Sequence, residues 1–328
     1  MTSPDRLREA IRVRAFPAEP RGEVMSLVRA VVDGGGSSVL GIVFFGSRKT
    51  KASPDPWSGY DLFVLTREYR DFYRSLQGAG ALKRSPRLVA ALNTVLPPNQ
   101  ISVRAAGESP ALAKCAVISL ATLLRETSPR RRDHFCAGRL FQPTEVLFAR
   151  DAATAESVLD ALVDAHRLTL SWVRPWLPET FDVETYCRSL LRVSLGREIR
   201  PEPEGRSEAL WEAQKDYLSV VYDILLAELA AAGELRSTGT GTYALARPVS
   251  LGERVRTGAY FRRSMARATE RWLKYMVTFD DWLEYIVHKA ERHSGQKIVL
   301  TLRERRLPIV FLWPRVIRYF RHKGPKAK

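Results

Sequence analysis

The stretch Ser37–Leu65, SSVLGIVFFGSRKTKASPDPWSGYDLFVL, decides how this chain is read. Val39 to Phe45 is an unbroken apolar run rich in β-branched and aromatic residues, and Tyr60 to Leu65 is a second. Runs of this length and composition predict buried strands. The first ends at Gly46-Ser47, and a polar loop rich in Lys, Pro and Ser leads to the second. A glycine can turn the chain tightly there, and the turn then presents backbone N–H groups and a hydroxyl to a phosphate. Asp61, near the head of the second run, can hold a divalent cation against that phosphate. The same residues also suit an ordinary corner between strands with a capping aspartate.

The order of strand, Gly-Ser, loop and acid-bearing strand resembles the front end of the nucleotidyltransferase fold. Most members carry two acids on the second strand, one residue apart. Here Gly59 and Phe63 stand at the partner positions. Asp61 is the remaining metal ligand, with Asp55 in the loop as a candidate second one.

With 328 residues, the chain is long enough for one large domain or two medium ones. It is 45% hydrophobic and 27% charged, a globular balance rather than a disordered one. The net charge of +16 favours polyanions, whether nucleic acid, nucleotides or an anionic membrane surface. Cys115, Cys136 and Cys187 form no CxxC and no Cys/His cluster, so they read as reduced packing thiols in a cytoplasmic protein. The start, MTSPDRLREAIRVRAF, is charged and lacks the apolar core of a secretory signal. No run approaches the roughly 20 apolar residues that span a bilayer.

Taken in order, Met1–Glu19 reads as a poorly packed lead-in. Glu23–Val32 has helical spacing and is expected to end at Asp33-Gly34-Gly35-Gly36. After Thr66 two amphipathic helices follow, REYRDFYRSLQ and SPRLVAALNTVL, the second capped by Ser85 with Pro86 in its first turn. Ile101–Ala105 is expected as the third strand, where many nucleotidyltransferases carry a third carboxylate; Ser102 and Arg104 cannot serve. Lys114–Glu126 reads as apolar, then helical. In HFCAGRLFQPTEVLF, the Gly138-Arg139 pair suits a phosphate, although Arg139 can equally pack its stem and cap a helix. Beyond Asp151 helices dominate, over Ala152–Val173, Glu184–Leu195 and Ser207–Ala232, with Ser237–Tyr243 as a small flexible loop.

The C-terminus mixes aromatics and bases. Phe311 and Trp313 lie in an apolar wedge, and Arg315 and Arg318 lie among the bases that follow. Such a segment suits the headgroup zone of an anionic bilayer, each base contributing about 1 kcal/mol. A helix docked on the core with a solvated basic tail is the other reading. The expected architecture is α+β. A nucleotidyltransferase-like mixed β-sheet with helices occupies 1–150 and a mostly α-helical domain 151–300. A basic amphipathic C-terminal tail, 301–328, would associate with a membrane.

Together these segments resemble the mitochondrial-type phosphatidate cytidylyltransferases, the peripheral CDP-diacylglycerol synthases, in a bacterial form. FFGSRKT…GYDLFVL resembles that family's Tyr-Gly-Ser strand end and its strand with a single Asp. KCAVISLATLLRE and HFCAGRLFQPTEVL resemble its Lys-Tyr-Gly-Val-Ile-Ser run and its Ala-Gly-Arg-Leu-x-Lys-Pro-Val motif. SLLRVSLGREIRPE resembles its Leu-Ser-Tyr-x-Gly-Asp-x-Arg-Met segment. Gln142 stands where Lys is usual, Arg197 where Gly is usual, and Glu198 where Asp is usual.

The resemblance, over roughly residues 25 to 230, implies transfer of CMP from CTP to phosphatidic acid, giving CDP-diacylglycerol and pyrophosphate. It implies catalytic Asp61 and Ser47, with Mg²⁺ on Asp61 and Asp55. Gly46, Ser47, Lys114, Arg139 and Arg200 would bind the nucleotide or the lipid headgroup. The protein would be cytoplasmic, peripheral on the inner face of the membrane, with no nucleic-acid partner. Two other readings stay open: a nucleotidyltransferase with a soluble or RNA acceptor, and an inactive fold of this type that binds nucleic acid.

Overall fold

Val39–Phe45 (β1) and Tyr60–Thr66 (β2) are strands as expected, paired antiparallel with Phe45 opposite Asp61. All seven residues of β1 are buried, because both faces of the sheet are covered. The computed structural model describes residues 4–19, 22–50, 59–104, 112–196, 205–278, 283, 287, 291 and 297–306. Asn99–Arg104 (β3), Leu112–Ser119 (β4) and Glu145–Ala149 (β5) complete a five-stranded sheet of order β3-β4-β2-β1-β5. β4 runs parallel to β2, and the other neighbours are antiparallel. The chain is α+β.

The helices are Pro4–Ala15 (α1), Gly22–Gly35 (α2), Ser47–Thr50 (α3), Tyr69–Gly78 (α4), Pro86–Val95 (α5), Leu120–Glu126 (α6) and Ala137–Leu140 (α7). After β5 come Ala152–Arg167 (α8), Thr169–Val173 (α9), Val183–Leu195 (α10), Arg206–Ala231 (α11) and Leu251–Thr278 (α12). A hairpin of Leu235–Gly239 (β6) and Thr242–Leu245 (β7) sits between the last two helices.

Alternation along the strands sends side chains to two cores. Ile42, Phe44, Leu62, Val64, Cys115 and Val117 meet α2, α4 and α5 through residues such as Val28, Phe72 and Val89. Val43, Phe45, Phe63, Leu65, Ala116 and Ile118 meet α1, α8, α10 and α11 through Leu7, Leu162, Leu190 and Leu218. Each Val, Leu, Ile or Phe among them contributes roughly 1.5–3 kcal/mol by leaving water. Asp61 and Lys114 share the parity of Phe63 and Ala116, so they lie on this second face. Side chains from both sides of Asp151 share that core, and Met1–Thr278 is one compact unit.

Phe279–Lys328 is a second unit. Its one-turn helix Leu302–Arg306 is closed by a reciprocal cap. Glu304 N–H donates to Thr301 Oγ1 at 3.3 Å, and Thr301 N–H donates to Glu304 Oε2 at 2.8 Å.

Several local expectations are corrected. The lead-in is helix α1, whose Leu7 and Ile11 are fully buried. Arg12 holds Glu156 of α8 at 2.7 Å, and Arg8 holds Glu156 and Asp160. α2, by contrast, ends at Gly35, inside the expected stop of Asp33-Gly34-Gly35-Gly36. A Cβ on Gly35 would lie 2.5 Å from Val39 Cγ2 and 2.6 Å from Phe72 Cε2, so this glycine serves close packing. Ser85 precedes α5, but its side chain makes no capping hydrogen bond. The strand beside β2 is β4, from the segment read as apolar then helical; β3 lies one strand further out. The expected loop at Ser237–Tyr243 is part of the β6–β7 hairpin.

Candidate functional site

The end of β1, the start of β2 and the start of β4 meet at one edge of the sheet. Gly46 leaves β1 with φ +85°, a left-handed conformation that favours glycine. A Cβ there would lie 2.6 Å from Asp61 Oδ2, so the Asp61 carboxylate sits directly against the Gly46 turn. Ser47 opens α3, and Lys49 N–H donates to Gly46 O at 3.0 Å, closing the turn. Gly46, Ser47, Asp61 and Lys114 are all half-buried.

Lys114 pairs with Asp61 in the β2–β4 register. Its stem runs past Gly59, where an added Cβ would lie 3.3 Å from Lys114 Cε and 3.0 Å from Leu112 O. An acid at position 59 would crowd that carbonyl and the Lys114 stem. Ser102 of β3 pairs with Lys114 on the other side. The row across the sheet is Ser102, Lys114, Asp61, Phe45: one carboxylate beside one ammonium.

Two neighbours fix the turn. Lys49 Nζ lies 2.8 Å from Glu145 Oε2 of β5, and this carboxylate is buried. The Arg48 guanidinium lies 4.5 Å from the Tyr60 ring centre. The sequence reading passed over this buried ion pair, because nothing in the chain's order links Lys49 to a residue almost a hundred positions later.

Arg139 takes the packing role that was one of its two readings. It donates to Phe135 O at 2.9 Å and lies 3.9 Å from the Phe135 ring centre. Phe135 packs edge-on against Phe63, two residues along from Asp61 on the same face. Gly138 has a packing reason of its own: a Cβ there would lie 2.7 Å from His134 Cδ2. His134 is buried, with Nε2 3.0 Å from Ser194 Oγ and Nδ1 3.3 Å from Tyr260 Oη. Burial, with Arg131 and Arg139 nearby, pushes its pKa down to about 3, so the imidazole is neutral. Gln142, where the resemblance would have Lys, donates to Gly138 O at 2.9 Å and accepts from Gln214 at 3.1 Å.

A buried polar network fixes α12 on the same unit. Asp133 accepts from Arg267 at 2.8 Å, from Arg271, and from Phe135 N–H at 2.9 Å. Burial raises the Asp133 pKa, but the two guanidiniums and the N–H outweigh it and hold the carboxyl below its usual range. Arg271 also donates to Pro97 O at 2.8 Å, and Lys274 donates to Leu96 O and Pro98 O. Burial, Arg271 and Arg267 push Lys274 down to about 6.

Asp61 and Ser47 offer hard oxygen donors of the kind Mg²⁺ takes. Mg²⁺ commonly uses only one or two carboxylates when substrate phosphates complete its shell, so this donor set fits. Among the described residues no group of three or more His, Cys, Asp or Glu could hold a metal ion. Asp55, Arg200, Phe311, Trp313, Arg315 and Arg318 lie outside the described residues. The three cysteines are buried free thiols, each pushed up in pKa by burial, which suits packing rather than chemistry. Among the described residues no helix is long and apolar enough to cross a membrane. No protein-family model and no curated protein matches this chain.

Proposed function

We propose that the chain is a nucleotidyltransferase that moves CMP from CTP to phosphatidate, releasing pyrophosphate and forming CDP-diacylglycerol at a membrane surface. One observation carries the reading. The left-handed Gly46 turn lies against the Asp61 carboxylate, with Lys114 beside it in register. The acceptor comes from the resemblance in the Gly46–Asp61, Lys114 and Gly138-Arg139 segments.

The nucleophile in this reaction is a lipid phosphate oxygen. A phosphate monoester has a second pKa near about 6 and is anionic at neutral pH, so no strong general base is needed. The oxygen attacks the α-phosphorus, the bond to the β-phosphate bridging oxygen breaks, and pyrophosphate leaves. What remains for the protein is positioning and charge neutralisation. The Gly46-Ser47 backbone and the Ser47 hydroxyl hold the triphosphate, and Lys114 supplies a cation beside it. Asp61, with Ser47 and the nucleotide's phosphates, would hold Mg²⁺, which neutralises phosphate charge when bound. Gly46 keeps the Asp61 carboxylate at a fixed place, and Lys49 on Glu145 keeps the turn in register.

A second reading is favoured by Lys114 itself. A lysine rather than a carboxylate stands opposite Asp61, which suits a polyanion-binding protein without turnover. Pyrophosphate release separates the two. Full-length protein with CTP, Mg²⁺ and phosphatidate in mixed micelles should release pyrophosphate only when phosphatidate is present. Asp61→Asn should lower the rate by about 10²–10³-fold. Release with a soluble acceptor alone discards the lipid. No release with any acceptor, together with CTP or RNA binding that Asp61→Asn leaves intact, selects the binding protein.

A further inference from the structure

Helix α12 is inside out. The stripe it turns toward the rest of its unit holds Thr257, Phe261, Ser264, Arg271, Lys274 and Thr278, all buried and all but Phe261 polar or charged. The opposite stripe carries Leu251, Val255, Met265, Trp272 and Leu273, exposed by 78, 57, 38, 39 and 53%. With Gly258, Arg262 and Thr269, the positions from 251 to 272 follow one another at steps of three and four, and Leu273, four after Thr269, lies beside Trp272 on the same helix face. A surface helix in water does the reverse and turns its apolar stripe to the core.

The helix cannot roll to correct this. Four of its inner side chains are bonded to the rest of the unit: Arg267 and Arg271 to Asp133, Arg271 to Pro97 O, Lys274 to Leu96 O and Pro98 O, and Ser264 Oγ to His134 N–H, while Thr278 Oγ1 is buried without a partner among the described residues. Rolling would strip those buried groups of partners, which costs more than leaving aliphatic side chains wet. The outer face is therefore held outward, and an apolar stripe held in water, here interrupted by Arg262 and Thr269, marks an interaction surface.

Charge decides what it meets. Arg254, Arg256, Arg262 and Arg263 are exposed along the helix, and Glu270 is its one exposed acid. Arg262 lies in the middle of the apolar stripe. Antiparallel two-fold pairing of two copies about that midpoint would set Arg262 against Arg262, which opposes self-association. Nucleic-acid phosphates call for the bases but not for Leu251, Val255, Met265 and Leu273. Aliphatic, tryptophan and arginine side chains on one helix face suit the boundary between headgroups and acyl chains, where arginine stems reach outward.

We propose that the outer face of α12 docks on a bilayer that contains anionic lipid. The proposal stands on α12 and does not need the nucleotidyl-transfer reading, since the binding is measured without nucleotide. The test is co-sedimentation of the full-length protein with phosphatidylcholine vesicles, with or without phosphatidylglycerol. The wild type should bind the anionic vesicles. The exposed substitutions Leu251→Gln/Val255→Gln/Leu273→Gln should leave the fold intact, as checked by urea unfolding, and lower the partition coefficient at least about tenfold. Arg254→Gln/Arg262→Gln should lower it about fivefold per arginine and flatten its salt dependence. The proposal is overturned if the wild type stays in the supernatant, or if the triple variant binds vesicles as the wild type does. It is equally overturned if the triple variant turns a wild-type dimer into a monomer on sizing, or loses RNA binding while keeping vesicle binding.

Discussion

Gly46→Ala tests the geometry of the site without assuming any activity. Two costs arise at once. Gly46 has φ +85°, and an L-residue in the left-handed region costs about 1–2 kcal/mol. The new Cβ would also lie 2.6 Å from Asp61 Oδ2 and 3.3 Å from its Cγ, an overpacking that typically costs about 1–3 kcal/mol. The sum is about 2–5 kcal/mol. The two parts separate in an Asp61→Ala background, where Oδ2 and Cγ are gone and only a tight approach to Cβ at 3.2 Å remains. There Gly46→Ala should cost only the backbone part. Urea unfolding of the four proteins gives the coupling energy as a difference of differences, expected at about 1–3 kcal/mol. Equal costs in the two backgrounds would refute the contact between the turn and the carboxylate. A cost below about 0.5 kcal/mol in the wild-type background would refute the left-handed turn as well.

Other substitutions probe the surroundings. Gly138→Ala forces a Cβ to 2.7 Å from the buried His134 ring and should cost about 1–3 kcal/mol in urea unfolding. Gly258→Ala, with nothing within 4 Å in the middle of α12, should instead stabilise by about 0.5–1 kcal/mol. Lys49→Met strands the buried Glu145 carboxylate and should cost about 3 kcal/mol, and adding Glu145→Gln should recover most of that.

Acid should destabilise the fold through its buried histidines. Burial pushes His134 down to about 3 and His166 down to about 4, from an ordinary value of 6.5. Both are neutral when folded and take up a proton when unfolded. Their stabilisation is complete above about pH 6.5. It falls by about 1.4 kcal/mol per pH unit for each histidine as pH drops toward those folded values. His166→Gln should remove one such slope from urea midpoints measured between pH 6 and pH 4.5; an unchanged slope would contradict a neutral buried imidazole.

The strand–turn–strand unit was legible because Val39–Phe45 is apolar on both faces and Tyr60–Leu65 is apolar but for Asp61. α10 and α11 were legible to within one residue from helical spacing. β4 was missed because KCAVISL merges into the helix that follows, and its pairing with β2 comes from a crossover through two helices. The glycines after Asp33 were legible as a helix stop, since α2 ends at Gly35; that Val39 and Phe72 leave Gly35 no room for a side chain was not. The reason for Gly59 lay on another strand, in Lys114 and the Leu112 carbonyl. α12 was not read as a helix from the sequence, which also does not say which stripe faces in. Only the partners of Arg271 and Lys274 decide that.

The central claim is transfer of a nucleotidyl group to a lipid phosphate at Gly46, Ser47, Asp61 and Lys114. It is tested most directly with CTP labelled at the α-phosphorus, Mg²⁺ and phosphatidate, counting label that moves into the organic phase. The account predicts label in CDP-diacylglycerol that requires phosphatidate and is lost in Asp61→Asn. Organic-phase label that survives Asp61→Asn, or its complete absence with wild-type protein that binds CTP, would contradict it.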